Sequence, residues 1–215
     1  LLVGHSTTGT LSAAIQNTGV GILALDALTS GDSNTALGRS AASGVTGGAY
    51  NTAVGAYAAD VVTTSDYNTA VGGSALGATT GASNTGIGYG AGWRNVTGTF
   101  NVSLGAEALE GVHANSHSYN TAIGAKASEV ITTGDYNITL GYTAGDNITT
   151  GSGNVVIGKA DVSSATGDDQ LSISDGEDGS VVWMTGDSSA NITFAAEVAA
   201  VSLDISGAID VDGTT

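Results

Sequence analysis

The sequence predicts an all-β protein, a parallel β-solenoid of about ten coils of 17 residues each. Three observations carry this prediction. A motif of the form Asn-Thr-Ala-Val-Gly recurs at nearly constant spacing along the chain. Residue character alternates within the motif, which is the period of a β-strand and not of a helix. A repeat of 17 residues is also too short for a helical hairpin, which needs more than about 30 residues.

The repeat occupies the first three quarters of the chain and is marked by an asparagine and a glycine. The asparagines that open the motif are Asn17, Asn34, Asn51, Asn68, Asn84, Asn101, Asn120, Asn137 and Asn154. The glycines that close it are Gly4, Gly21, Gly38, Gly55, Gly72, Gly88, Gly105, Gly124, Gly141 and Gly158. We expect the glycine to form a corner with positive φ and the asparagines to bond to their copies in neighbouring coils as a structural ladder.

Each coil is expected to contain two short strands and two turns, with the motif as one strand. The third motif residue is small or of modest size, as in Ala36, Ala53 and Ala70. Because large apolar side chains are few, a single roll has little to bury, and neighbouring rolls should pack side by side. We therefore predict that the small third residues face a threefold axis and that Val54 and its equivalents fill the interior of each roll.

Charge and composition exclude several classes of function. Four Lys and Arg residues stand against 20 Asp and Glu residues, a formal net charge of −16. Binding to nucleic acid or to an anionic membrane surface requires the opposite sign. The chain has no Cys, and no apolar run reaches the length of about 18 residues that a membrane span needs. We expect no cofactor, no resident metal ion and no membrane insertion.

The chain divides into three parts. Residues 1–162 form the β-roll repeat domain, and residues 163–200 form a β-hairpin connector with alternating strands around the turn at 175–179. Residues 201–215 show apolar residues at alternating positions, including Leu203 and Ile205, and are predicted to begin the shaft of a trimeric fibre.

The motif resembles a known repeat. Asn51-Thr52-Ala53-Val54-Gly55, followed by Ala58, resembles the head repeat of trimeric autotransporter adhesins of the YadA type, a repeat that also occurs in bacteriophage tail fibres. The resemblance implies a left-handed parallel β-roll and a homotrimer. The 17-residue period is longer than the adhesin head unit, so loop positions do not transfer directly. The segments after residue 162 resemble connector and shaft segments of phage fibres.

These resemblances imply a structural function without enzymatic activity. The expected protein is a trimeric phage tail fibre on the virion, outside the host cell, a rigid rod that supports or provides attachment to a host receptor. Its partners would be its own copies, other tail or fibre proteins, and a glycan or protein receptor. A bacterial surface adhesin head is the alternative. An ice-binding solenoid and a polysaccharide-degrading tailspike are further possibilities, although no catalytic constellation supports the latter.

Two clusters are candidates for receptor binding. His113, Asn115 and His117 lie in the one coil of 19 residues, which we expect to form a solvated, protruding loop. Two histidines four residues apart bind metal ions on helices, but a solenoid loop lacks that geometry. Trp93 and Arg94 interrupt a glycine-rich turn. They suit either stacking on a sugar ring or packing over the outer strand.

Overall fold

The computed structural model describes residues 2–3, 14–112 and 115–195, and all its regular elements are β-strands. The strands are β1 (Leu2–Val3), β2 (Thr18–Val20), β3 (Thr35–Leu37), β4 (Thr52–Val54), β5 (Thr69–Val71), β6 (Thr85–Ile87), β7 (Val102–Leu104), β8 (Thr121–Ile123), β9 (Ile138–Leu140), β10 (Val155–Ile157), β11 (Leu171–Ser174), β12 (Val182–Gly186) and β13 (Ile192–Phe194). The described residues contain no helix, and therefore none that could cross a bilayer.

The coils stack in register to form one long parallel sheet. Strands β1 to β11 pair in chain order, and equivalent motif residues lie opposite each other, as in Thr52 with Thr69 and Ala53 with Ala70. The structure thus confirms an all-β parallel solenoid, with about nine turns spaced by about 17 residues. At a strand separation of about 4.8 Å, these turns make a rod about 45 Å long.

Each coil has one strand and not the two that the sequence suggested. The residues opposite the motif form turns, because alternate positions such as Tyr57 and Ala59 have φ of 59° and 50° and cannot continue an extended chain. Their backbone groups still bond from coil to coil. The Ala59 N–H, for example, donates to the Ala75 carbonyl at 2.9 Å. The turn side therefore holds the coils together without a second β-ladder.

The interior of the roll contains the third motif residue, which corrects the predicted orientation. Ala53 is fully buried, while Val54 lies on the outer side of the strand and is only half-buried. The physical reason is the narrow cross-section of the coil. A Cβ on Gly86, a third motif residue, would lie 2.8 Å from the Ala91 carbonyl oxygen and 2.9 Å from Leu76 Cγ. Space at this position is therefore limited, and most coils place Gly, Ala or Ser there while the larger fourth residue faces outwards. Thr139 and Val156 are branched residues that are buried at this position.

The core is completed by apolar side chains from the turn side of each coil. Five of them occupy the same position, seven residues after the closing glycine of their coil: Leu28, Val45, Val62, Ile131 and Ile148. In the coil after Gly158, the buried apolar side chain is Val162. Together with the buried alanines, these side chains form a thin apolar column along the rod.

The stack ends in an antiparallel hairpin. Strand β11 pairs parallel with β10 and antiparallel with β12, and β12 pairs antiparallel with β13. The Asp175 carboxylate organises the turn before β12 by accepting N–H bonds from Glu177, Asp178, Gly179 and Val181. The predicted shaft at 201–215 lies outside the described residues.

Candidate functional surfaces

The asparagine positions form a buried hydrogen-bonded ladder. The Asn68 backbone N–H donates to Asn51 Oδ1 at 3.0 Å, and Asn68 Nδ2 donates to the same oxygen at 3.2 Å. Asn51 Nδ2 also donates to the Ser65 carbonyl across the coil at 2.9 Å. In the coil after Asn154, Gln170 occupies the position of the asparagine and donates to Asn154 Oδ1. Because these side chains are inside the roll, the ladder stabilises the stack and offers no surface to a partner.

The glycine ladder keeps neighbouring coils close together. Gly72 has φ of +132°, and a Cβ there would lie 2.4 Å from the Gly88 carbonyl oxygen. Gly38 and Gly124 have the same geometry, with their nearest carbonyl oxygens at 2.6 and 2.2 Å. A side chain is excluded at these corners both by backbone conformation and by space.

His117 is buried in the roll, so the predicted solvated loop is wrong at this residue. Its side chain is 1% exposed, and burial lowers its pKa to about 4. His117 Nδ1 lies 3.3 Å from Asn120 Nδ2, and the His117 carbonyl accepts from Asn101 Nδ2 at 2.8 Å. The residue therefore supplies a rung of the interior ladder. His113 lies outside the described residues, and the half-buried Asn115 forms a parallel bridge with Asn95.

Trp93 and Arg94 pack against the roll instead of projecting from it. The Arg94 guanidinium lies 4.8 Å from the centroid of the Trp93 ring and covers one face of the indole. The indole also lies against the preceding coil, because a Cβ on Gly77 would be 3.1 Å from Trp93 Cδ1. Arg94 Nη1 further pairs with Glu110 Oε1 at 2.8 Å. These contacts give the pair a packing role over the neighbouring coil.

Beside this pair lies an acidic cluster in which each carboxylate is paired with a basic side chain. Carboxylate oxygens of Glu107, Glu110 and Glu129 lie within 4.8 Å of one another. Oxygen ligands of this kind suit a divalent cation. However, Lys126 Nζ lies 3.1 Å from Glu107 and 2.9 Å from Glu129, while Arg94 pairs with Glu110. The cluster is an ion-pair network between coils.

The outer strand face carries a continuous apolar strip along the rod. It consists of the outward fourth motif residues, which are Val20, Leu37, Val54, Val71, Ile87, Leu104, Ile123, Leu140 and Ile157. Leu104, for example, is 43% exposed. The second motif residue lies beside it on the same face, and three coils carry an aliphatic residue there in place of threonine: Val102, Ile138 and Val155.

Exposed aromatic rings form a third ladder at the residue before the asparagine. Tyr50 stacks on Tyr67 with ring centroids 5.2 Å apart. Phe100 stacks on Tyr119, and Tyr119 on Tyr136, at 5.3 and 4.8 Å. The sequence shows these aromatics as part of the repeat, but we assigned them no role. Their stacking could have been predicted from the sequence, because a parallel solenoid places residues one period apart directly above each other.

Comparison of the chain with protein-family models, with curated proteins and with solved structures finds no match. Inference about function therefore rests on the surfaces described above.

Proposed function

We propose that three copies of this chain associate through the outer strand face to form a stiff fibre segment. The observation that carries the proposal is the apolar strip, which runs along the stack of strands and includes the exposed Leu37, Leu104 and Leu140. Contiguous apolar surface of this extent is typical of a protein interaction site. Three strips that meet at an axis would remove these side chains from water. The apolar surface buried in this way would add to the small amount that the thin core of a single roll buries.

The C-terminal hairpin supports the same assembly. Trp183 and Val181, at the start of the return strand, are exposed, as are Ile192 and Phe194 of β13. A small sheet with apolar residues exposed in this way requires packing against another surface to be stable in water. In the proposed trimer, three such sheets pack together beyond the last coil.

The proposed role is a rod that holds or presents a receptor-binding surface away from a phage virion. The resemblance of the motif to YadA-type heads and tail-fibre repeats supports this role and a left-handed coil. Coil stacking makes the rod stiff, and three copies multiply weak contacts with a host surface by avidity. A bacterial adhesin head of the same architecture is the alternative.

Sedimentation equilibrium tests the assembly. The chain has a mass of 20.8 kDa, so a trimer is expected at about 62 kDa. Leu104→Glu should dissociate it, because the substitution places three carboxylates near the axis. Ile22→Glu is the matched control, since Ile22 is exposed at the corner after Gly21 and not on the strand face. A folded, soluble wild-type monomer would overturn the proposal.

Immunogold labelling separates the two biological settings. An antibody raised against the chain is applied to a culture that produces the full-length protein. Gold on virion tails supports the tail fibre, whereas gold confined to the bacterial surface supports the adhesin.

Ice binding is the second candidate, because the motif threonines face outwards. Thr18 and Thr35 are exposed on the flat strand face, in register from coil to coil. Val102 and Ile138 interrupt the threonine row with aliphatic side chains, which favours protein packing over ice. A monomeric chain with thermal hysteresis would favour ice binding, and a trimer without hysteresis would exclude it.

A further inference from the structure

The aromatic ladder contains a gap of one coil. Tyr67 stacks on Tyr50, and Phe100 stacks on Tyr119, but the coil between Tyr67 and Phe100 carries Ser83 at the ladder position. The three residues Tyr67, Ser83 and Phe100 share the same backbone conformation, with φ of 61°, 60° and 58°. An aromatic side chain at residue 83 would therefore continue the stack, and its absence leaves a slot between two ring faces.

The width of the slot follows from the regular stacking. Rings one coil apart have centroids separated by 4.8 to 5.3 Å. The stack is unbroken here, because the asparagine ladder continues through Asn84, which bonds to Asn68 at 3.0 Å and accepts from Asn101 at 3.0 Å. Tyr67 and Phe100 are thus about two strand spacings apart, or about 10 Å from centroid to centroid.

Both rings bordering the slot are open to solvent. Tyr67 is 61% exposed and Phe100 is 55% exposed, compared with 46% for Tyr119, which has a ring on each side. Ser83 is half-buried between them, and among the residues described by the structure its hydroxyl has no hydrogen-bond partner. The slot therefore has two apolar walls with electron-rich faces and a small polar floor.

We infer that this slot, lined by Tyr67, Ser83 and Phe100, binds a quaternary trimethylammonium group such as that of choline. A cation of this kind is attracted to an aromatic face when it lies within about 6 Å of the ring centroid. A group centred in a slot of about 10 Å lies about 5 Å from each ring, so it contacts both faces at once. Its methyl groups contact the apolar walls, while its charge interacts with both ring quadrupoles.

Charge favours a cation over a neutral or anionic ligand. The chain has a formal net charge of −16. Asp66, directly before Tyr67, has its carboxylate held in the same corner by the Ala49 N–H at 2.7 Å. This carboxylate adds a local negative potential to that of the whole chain.

The cations of the chain itself are already engaged elsewhere. Arg39 lies over Tyr57 at 5.3 Å, Arg94 over Trp93 at 4.8 Å and Lys159 over Tyr142 at 5.6 Å. The remaining basic residue, Lys126, is paired with glutamates. Three of the four basic residues thus use an aromatic face, and the two faces of the slot are left for a cation from outside.

The test is a titration of the full chain, in its native assembly, with choline chloride against matched NaCl. The methyl proton resonance of choline should shift upfield, because ring currents shield a group held between two aromatic faces, and it should saturate in the millimolar range. The neutral isostere 3,3-dimethylbutan-1-ol has the same shape without the charge, and it should bind at least about fivefold more weakly. Equal binding of the two compounds, or no binding of choline, overturns the inference.

Three variants locate the site. Ser83→Phe fills the slot and should weaken choline binding by about tenfold or more, while the melting temperature stays equal or rises through completed stacking. Ser33→Tyr is the matched control. It adds a ring at the ladder position next to Tyr50, outside the slot, and should leave choline binding unchanged. Asp66→Asn keeps the acceptor for Ala49 and should weaken choline binding by about twofold, without affecting the isostere. Loss of binding in Ser33→Tyr, or its retention in Ser83→Phe, would place the cation elsewhere and refute the slot.

The trimethylammonium group could be carried by a lipid or by a surface polymer. Vesicles of phosphatidylcholine and a phosphocholine-conjugated carrier protein distinguish these sources by co-sedimentation. Binding to either that Ser83→Phe abolishes supports the slot, and failure of both to bind contradicts it. Neither result depends on whether the rod belongs to a phage or to a bacterial surface.

Discussion

Replacing Gly72 by alanine should destabilise the roll strongly, whereas the same change at the next residue should not. Gly72 has φ of +132°, a conformation that side chains rarely adopt and that costs about 1–3 kcal/mol. A new Cβ would also lie 2.4 Å from the Gly88 carbonyl oxygen and 2.6 Å from the Gly88 carbonyl carbon. A carbon and an oxygen in contact are normally separated by about 3.3 Å or more.

The clash cannot be relieved by one side chain moving, because its partner is backbone. Gly88 is held against the next coil in the same way, with its own Cβ position 2.4 Å from the Gly105 carbonyl oxygen. Overpacking of this kind adds about 1–3 kcal/mol. The two contributions together predict a loss of about 2–6 kcal/mol in the free energy of unfolding for Gly72→Ala.

Gly73→Ala is the matched control. A Cβ there would first meet Tyr89 Cδ2 at 3.5 Å, an ordinary contact, and no positive φ opposes it. We expect a change within about 1 kcal/mol in either direction. Urea denaturation followed by far-UV circular dichroism, at one protein concentration, measures both variants. If the two differ by less than about 1 kcal/mol, the close approach of the coils does not determine stability and the reasoning fails.

Three further predictions concern the buried ladder and the hairpin. Burial lowers the pKa of His117 from 6.5 to about 4, so the unfolded chain takes up a proton at a higher pH than the folded chain does. The free energy of unfolding should therefore fall between about pH 6.5 and 4, by up to about 3 kcal/mol. Urea denaturation of wild type and His117→Gln from pH 7 to 4 checks this, and a constant difference between them would contradict it. Asn68→Ala removes the acceptor of the buried Asn84 N–H and should lower the free energy of unfolding by about 1–3 kcal/mol in the same assay. A change below about 0.5 kcal/mol would show that the ladder contributes little to stability. Backbone N–H donors, led by Val181, lower the pKa of Asp175 to about 2, so its stabilisation of the hairpin turn is present above about pH 4 and lost towards pH 2. Hydrogen-exchange protection at the Val181 amide should fall over that range, and unchanged protection would refute this role.

The ladders could be predicted from the sequence, because the period of the repeat fixes which residues lie next to each other in neighbouring coils. Once residues one period apart stack in parallel, Asn51 must lie beside Asn68, and Gly72 beside Gly88. An amide that bonds to its own copy and a glycine that allows close approach then follow from chemistry alone. The aromatic ladder belongs to the same class of inference, since Tyr50 and Tyr67 differ by one period.

The orientation of the strand could not be predicted in the same way. Alternation places Ala53 and Val54 on opposite faces, but it does not say which face is inside. Apolar character favours burying valine, yet most coils bury an alanine or a glycine, because the turn side of the same coil leaves little space at this position. Val156 is buried at the equivalent position where the small Gly145 lies close to it. The burial of His117 was missed for a related reason. Its place in the interior ladder depends on how the 19-residue coil closes and not on its sequence neighbours.

The sequence by itself determined the period of this protein, its parallel stacking and the residues that repeat in ladders, because these depend only on spacing along the chain. Only the tertiary structure decided which side of each strand faces water and that Ser83 leaves two ring faces open. Both depend on the cross-section of the coil, which is set by packing between residues that are distant within one repeat.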